Sequence, residues 1–299
     1  MHKTPDTVWA RYFAPTSRRT WAPRPAVILL CASIACADTE TETEGGFSAL
    51  TYNVHGLPAE ITGDDTPGRM VQIAPLLNDY DLLGVQEDFL SDNHEALLAE
   101  VDYPVQTWFS DILDSRVYPS GLSLLSRFEQ VDYWTEHYVE CNGIVDGSSD
   151  CLASKGFQVM RVALSEDVVL DVYNSHLEAG GGEEDNAARE SQVEQLITAM
   201  NSYSAGSAVL FLGDTNLSGY DSDDVPVMDR WLEETGLEDA CDMIGCDEPG
   251  RIDRALVRSS ENLQLEVAAW SVEPQFFDAE GSPLSDHDAI AVEIDWSVP

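Results

Sequence analysis

Apolar side chains after residue 46 gather in short runs at 47–54, 81–87, 121–126, 156–164, 168–176, 208–213, 252–258, 263–273 and 289–296. Runs of this length predict β-strands. Helical periodicity lies between some of them. Met70, Ile73, Ala74 and Leu77 share one face of a helix, and Val193, Leu196, Ile197 and Met200 share another. Asp92 and Glu95 have capping-box spacing and predict a helix through Val101. No linker or repeat interrupts the chain from Phe47 onward. Many strands with fewer helices predict an α/β domain of two packed sheets with helices outside them.

The front of the chain follows a different pattern. Lys3, Arg11, Arg18, Arg19 and Arg24 precede an apolar run from Ala26 to Ala35, too short to span a bilayer. This reads as an export leader over residues 1–37, with Ala35-Cys36-Ala37 fitting cleavage after Ala37. Ser33-Ile34-Ala35-Cys36 resembles a lipobox, which would make the product an outer-membrane lipoprotein anchored at Cys36 rather than a secreted protein. Residues 38–46, DTETETEGG, read as an acidic flexible tether, leaving 47–299 as one domain.

Charge narrows the partners. The 299 residues carry 15 Lys and Arg against 55 Asp and Glu, a formal charge of −40. Five basic residues and one acid fall within 1–37, so the remainder holds 10 against 54, or −44. Aromatic residues at 9 % and ordered apolar runs exclude a disordered acidic tail. The chain lacks the clustered Lys and Arg that nucleic-acid binding draws on, so nucleic acid is disfavoured. A zwitterionic surface fits the acidity better than a polyanion.

Cysteine usage agrees with export. Beyond the leader stand Cys141, Cys151, Cys241 and Cys246, whose proximity favours the disulfides 141–151 and 241–246. Neither pair has zinc-ligand spacing.

Polar residues mark the ends of the predicted strands: Asn53, Glu87, His176, Asp214 with Asn216, Asp253, and Asp286 with His287. Any one of them has an ordinary explanation as a turn former, surface charge or satisfied histidine. Together, at strand termini, they predict a site gathered by loops at one rim. The carboxylates of Glu87, Asp214 and Asp286 and the amides of Asn53 and Asn216 suit Mg²⁺, Mn²⁺ or Ca²⁺ rather than a soft metal. Two histidines supply proton transfer and anion stabilisation near neutral pH, and Asp253 can hold one imidazole in its productive tautomer. No phosphate-cradling glycine loop and no Gly-x-Ser-x-Gly elbow is present. Metal, base and anion stabilisers point to hydrolysis of a phosphate ester.

Six segments carry a family resemblance. Leu50-Thr51-Tyr52-Asn53-Val54, Gln86-Glu87, Asn174-Ser175-His176-Leu177, Gly213-Asp214-Thr215-Asn216, Arg251-Ile252-Asp253 and Ser285-Asp286-His287 stand in the order of the endonuclease/exonuclease/phosphatase superfamily. The resemblance spans residues 47 to about 296 and implies a deoxyribonuclease-like four-layer α/β sandwich, two mixed β-sheets flanked by helices. It implies Glu87 as principal metal ligand with Asn53 beside it, and Asp286 as the adjacent acid. It further implies His287 as general base oriented by Asp253, with Asp214 and Asn216 positioning water or phosphate. His176 would bond a phosphate oxygen, and Arg189 and Gln192 would support the structure around it.

Within that superfamily the chain resembles secreted bacterial and neutral sphingomyelinases. Asp150-Cys151-Leu152-Ala153-Ser154-Lys155-Gly156-Phe157 is similar to their Asp/Lys-Gly segment, and Ser175-His176-Leu177-Glu178-Ala179 to their Thr-His-Leu-Gln-Ala form, with Glu178 departing from the glutamine. Phe276 and Phe277 stand eleven and ten residues before His287, where bacterial sphingomyelinases carry an aromatic membrane-dipping hairpin. Lys155, Phe276 and Phe277 are therefore expected to bind substrate, a zwitterionic sphingomyelin headgroup at a membrane surface. The implied activity is hydrolysis to ceramide and phosphocholine; no oligomer signal stands out in the sequence, so a monomer is the default expectation. A nuclease of the same fold and a non-catalytic binding module are the competing expectations.

Overall fold

The computed structural model describes residues 42–63, 65–143 and 150–299. The expected leader and the first residues of the tether lie outside them. Elements run in the order β1 (Glu44–Asn53), α1 (Ala59–Thr62), α2 (Thr66–Ile73), β2 (Leu82–Gln86), α3 (Ser91–Leu98), β3 (Val105–Trp108), β4 (Ser123–Ser126), β5 (Glu129–His137), β6 (Gly156–Ser165) and β7 (Val168–His176). Then follow α4 (Glu183–Ser202), β8 (Val209–Asp214), α5 (Asp224–Thr235), β9 (Glu238–Asp239), α6 (Ala240–Ile244), β10 (Asp253–Arg258), β11 (Gln264–Val272) and β12 (Ile290–Ser297). Among the described residues no helix is long and apolar enough to cross a membrane.

Two six-stranded sheets result, ordered β11-β12-β1-β2-β4-β3 and β5-β6-β7-β8-β10-β9. Both are mixed, because β1 pairs with β2 and β7 with β8 in parallel, while the other pairings are antiparallel. Alternation along the strands explains the layering. Ala49, Leu82, Val172, Leu210, Leu212 and Val292 pack together in one apolar core shared by the two sheets. Their neighbours Leu50, Leu83 and Ala291 join Met70, Ile73 and Leu97 of α2 and α3 in a second core. Tyr173 and Phe211 join Val193, Leu196 and Trp231 of α4 and α5 in a third. The molecule is a four-layer α/β sandwich. Gly84 permits close approach of the sheets, since a Cβ there would meet Leu212 Cβ at 2.7 Å.

Several sequence expectations need correcting. The strand expected at Phe47 begins at Glu44, so the last tether residues pair with Ser297, Trp296 and Asp295 instead of hanging free. Gly45 fits there because a Cβ would come 2.9 Å from the Trp296 indole. Helix α3 starts at Ser91 with Leu90 at its N-cap and no side-chain cap, and it ends at Leu98, so Asp92 and Glu95 form no capping box. Strand β5 escaped the apolar pattern because EQVDYWTEH lies at a sheet edge with no fully buried residue. Both expected disulfides form, with Cα separations of 5.4 Å for Cys141–Cys151 and 5.1 Å for Cys241–Cys246.

Strand register defines one functional end. Asn53 pairs with Gln86, Val85 with Ser123, and Ser123 with Trp108, so the loops after β1, β2 and β3 leave from the same edge. In the other sheet His176 pairs with Asp214 and Asp214 with Asp253, while His137 pairs with Gly156. Val272 pairs with Ile290, which returns the 273–289 loop to the same end.

Candidate active site

The strand ends bring the expected polar residues together. Asn53 closes β1, and its Nδ2 donates to Glu87 Oε1 at 3.0 Å and to Asp214 Oδ2 at 3.1 Å. Its Oδ1 accepts the His55 N–H at 3.0 Å. Glu87 follows β2 in a left-handed conformation (φ 60°), as do His55 (φ 50°) and Asn216 (φ 48°). Such conformations cost non-glycine residues about 1–2 kcal/mol and need surrounding contacts to hold them. Three of them at one end of the sandwich mark a site where placement of side chains overrides backbone preference.

Asp214, the last residue of β8, is the hub. His176 Nε2 lies 3.4 Å from Asp214 Oδ2, and His287 Nε2 lies 3.8 Å from the same oxygen. Asp214 Oδ1 accepts the Asn216 N–H at 3.0 Å. Asn216 Nδ2 donates to Leu177 O at 3.2 Å, tying the loop after β8 to the end of β7. His287 Nδ1 lies 2.8 Å from Asp253 Oδ2, so the ring is fixed with Nε2 turned to Asp214. The ligand atoms of Asp214, Asp253 and His287 all lie within 4.8 Å of one another. Ser285 supports the loop by donating to Asn53 O at 2.7 Å and accepting the His287 N–H at 3.2 Å.

Electrostatics separates the two histidines. Burial alone pulls His287 down, but the Asp253 hydrogen bond and the charges of Asp253, Asp214 and Asp286 outweigh it and push the ring up to about 10. Burial and Asp214 also push Asp253 upward, and His287 pulls it back; in this pair the proton sits on the imidazole. Burial, with the charges of Lys155 and His287, holds His176 well below the ordinary histidine range, so it is neutral. Glu87 is pushed up by burial and by Asp214, against the Asn53 hydrogen bond.

The donor set fits a hard divalent cation. Glu87 Oε2 is buried with no hydrogen-bond partner, an arrangement that leaves a carboxylate oxygen free for a metal. Asp214 brings a further carboxylate to the same place, joined to Glu87 through the Asn53 amide N–H groups. Asp286 is set apart: it is 58 % exposed, and its carboxylate meets His55 Nδ1 at 3.1 Å at the rim. His55 also lies 3.8 Å from Glu87 Oε2. Sequence reasoning passed over His55, although its place two residues after Asn53 was a usable signal. Arg69 was passed over too. Its guanidinium donates to Val54 O, His55 O and Leu284 O at 2.7–3.0 Å, stitching the loop after β1 to the loop that carries Asp286 and His287.

Lys155 lies buried just before β6. Its Nζ donates to Leu177 O at 2.7 Å and pairs with Asp150 Oδ1 at 2.9 Å. Asp150 Oδ2 in turn accepts the Ala179 N–H at 2.6 Å. Arg189 and Gln192 of α4 brace the same segment by bonding Glu178 O at 2.7 Å and Glu178 N at 2.7 Å. Glu178 is fully buried, and burial beside Asp150 pushes it up to about 7.

The paired-phenylalanine expectation needs revision. Phe276 is 3 % exposed and packs on Tyr52 with ring centroids 4.7 Å apart. It belongs to the core because the loop folds its ring under the end of β1. Phe277, at 47 % exposed, is the member of the pair that faces solvent.

Residues 50–287 match the model of the Endonuclease/Exonuclease/phosphatase family. The chain is 31 % identical over 293 residues to a sphingomyelinase of Mycobacterium tuberculosis (strain ATCC 25618 / H37Rv), covering 87 % of this chain and 55 % of that protein. It thus spans about half the length of the curated relatives it matches. The fold is similar to sphingomyelinase C from Streptomyces griseocarneus, with a TM-score of 0.63, 17 % identity and coverage of 83 % of this chain and 99 % of that one. It is equally similar to D. rerio TDP2 complexed with single strand DNA product, with a TM-score of 0.63, 16 % identity and coverage of 83 % and 98 %. With that match across the strands and loops that build the site, the chain belongs to the Endonuclease/Exonuclease/phosphatase family.

Proposed function

We propose that this chain is an exported, divalent-metal-dependent phosphodiesterase that cleaves sphingomyelin to ceramide and phosphocholine. The observation that carries the chemistry is the His287–Asp253 pair, with Nε2 facing the Asp214 carboxylate and neutral His176 on the same carboxylate. Kinship to a mycobacterial protein named sphingomyelinase supports the lipid substrate.

Surface composition supports it further. Exposed apolar side chains stand on the loops at the functional end: Ile61 after β1, Ile112 and Val117 between β3 and β4, Val139 after β5, Tyr220 after β8 and Phe277 before β12. Exposed apolar side chains on these segments suit insertion at a lipid interface. A chain at −40 approaches a zwitterionic surface with less repulsion than an anionic one.

In this reading His287 Nε2 takes a proton from water, and the water oxygen attacks phosphorus in line with the bond to the ceramide oxygen. That P–O bond breaks as the ceramide oxygen leaves with the electron pair and takes up a proton. Asp253 holds the ring and stabilises the imidazolium that forms. Asp214 and Asn216 orient water and phosphate. His176 donates to a phosphoryl oxygen, where charge builds in the transition state. Lys155 adds fixed positive charge through the wall of the site. Glu87 and Asn53, with Asp286 at the rim, would hold Mg²⁺ or Mn²⁺, which supplies Lewis-acid polarisation of the phosphoryl group. Positive charge held at Glu87 would oppose the rise of the His287 pKa and free the imidazole to act as base. Residues 1–37 would direct export, with Cys36 as the lipidation point if a lipoprotein is made.

The test compares phosphocholine release from sphingomyelin vesicles and from phosphatidylcholine vesicles with nicking of plasmid DNA, each with Mg²⁺ and with EDTA. Release selective for sphingomyelin and abolished by EDTA is expected. Nicked plasmid with silent vesicles would overturn the lipid assignment.

A further inference from the structure

The residue after the proposed metal ligand is built into a closed clamp. Asp88 is fully buried, yet the sequence places it directly beside Glu87 in a chain already rich in acids. Its Oδ2 meets His94 Nδ1 at 2.5 Å and accepts the Ser123 hydroxyl at 2.7 Å. The His94 ring lies flat on Trp108, with centroids 4.4 Å apart and planes 13° from parallel. Trp108 closes the circuit, because its indole N–H donates to Asp88 O at 2.9 Å. The Asp88 N–H donates to Gly121 O at 2.9 Å. Both backbone polar groups and one carboxylate oxygen of Asp88 are therefore held, from α3, β3 and the start of β4, while its Oδ1 is buried without a hydrogen-bond partner.

That matters because Glu87 itself is left-handed. A glutamate has no intrinsic preference for this conformation, so its neighbours must enforce it. The preceding side is held by β2, and the following side by Asp88. Helix α3 braces the opposing loop as well, since Asn93 Nδ2 donates to Gly56 O at 3.1 Å. Gly56 lies so close that a Cβ there would meet Glu87 O at 2.2 Å. An apolar residue at position 94 would leave the buried Asp88 carboxylate with Ser123 alone, and the carboxylate would move to find water.

We propose that His94 is a positioning residue which, through Asp88 and Trp108, sets the turn that delivers the Glu87 carboxylate and thereby sets the affinity for the divalent cation. The inference rests on the reading of Glu87 as the principal metal ligand. It treats the His94–Asp88–Trp108 clamp as a support that reaches the metal only through Glu87.

Direct Mn²⁺ binding to the full chain by titration calorimetry and by electron paramagnetic resonance provides the test, without recourse to turnover. His94→Leu is expected to weaken Mn²⁺ binding about tenfold, and His94→Asn, which returns a donor near the Nδ1 position, to restore it to within about threefold. Half-saturation of activity by Mg²⁺ should shift in parallel, with kcat at saturating metal changing far less. A purely structural role would lower the unfolding midpoint and leave the Mn²⁺ affinity of the folded fraction unchanged. If His94→Leu does not fold, Trp108→Phe carries the test, since it keeps the stack and loses the bond to Asp88 O; unchanged Mn²⁺ affinity in that variant overturns the proposal. Wild-type binding with equal binding by His94→Leu overturns the clamp and leaves Glu87 as ligand. Absence of Mn²⁺ binding by the wild type overturns both.

Discussion

His287 and Asp253 meet through a 2.8 Å contact between Nδ1 and Oδ2, and this contact fixes both the orientation and the charge of the ring. The folded protein holds the His287 proton to about 10, against 6.5 for a free imidazole. The stability lent by this proton is therefore full below about pH 6.5 and is lost as pH rises toward 10. In Asp253→Asn the carboxylate is gone while burial remains, so the pKa should drop below its wild-type value and the alkaline loss of stability should flatten. Histidine NMR titration of the metal-free protein checks this. An unshifted His287 resonance in the variant would contradict the pairing.

Glu178 is linked to stability with the same sign, in a more acidic window. Its folded-state value of about 7 stands above the ordinary 4.5, because burial and the charge of Asp150 outweigh the pull of Lys155 and the hydrogen bonds from Asn142 and Gln192. The folded state thus binds the extra proton between these values, and stability falls as pH rises through that window. Glu178→Gln should remove the fall, gaining on the wild type by on the order of 2 kcal/mol between pH 4.5 and 8. Urea midpoints at the two pH values measure it. A difference between the proteins that does not change with pH would refute the assignment.

The two disulfides should differ in consequence. Cys151 follows Asp150, which holds Lys155 and the Ala179 N–H, so the Cys141–Cys151 bridge anchors the wall behind His176. Replacing both cysteines by serine should cost about 2–3 kcal/mol and lower turnover even where the protein stays folded. Replacing Cys241 and Cys246 should affect the unfolding midpoint with much less effect on turnover. Equal turnover losses for the two pairs would argue against a specific role for the first.

Phe276 and Phe277 separate packing from surface. Phe276→Ala should destabilise by about 3–5 kcal/mol, because it empties a site against Tyr52. Phe277→Ala should leave the unfolding midpoint nearly unchanged and weaken sedimentation with sphingomyelin vesicles. If both variants behave alike in both assays, the division between core and rim is wrong.

Much of the fold was legible because its strands alternate between two apolar environments, as Leu50 beside Ala49 and Phe211 between Leu210 and Leu212 illustrate. Asn53, Glu87, His176, Asp214, Asp253 and His287 were legible for a related reason, since polar residues at the ends of apolar runs must gather wherever the strands end together. Edge strand β5 was not, because its half-exposed residues lack the alternation that burial imposes. Phe276 was misplaced because an aromatic pair between turn residues reads as an exposed hairpin. Only the three-dimensional path of the loop reveals that one ring turns under Tyr52. His55 and Arg69 act through the backbone carbonyls and carboxylates they reach, and those partners come from distant segments. For His55 the one local signal is its place two residues after Asn53, and for Arg69 there is none.

If His287 activates water for attack on phosphorus, its loss must show in turnover. Phosphocholine release from sphingomyelin vesicles by wild type and His287→Ala at saturating Mg²⁺, with Mn²⁺ binding measured on the same preparations, reads this out. A fall in kcat of at least about 10²-fold is expected, with metal binding retained. Turnover by His287→Ala close to that of the wild type would contradict it.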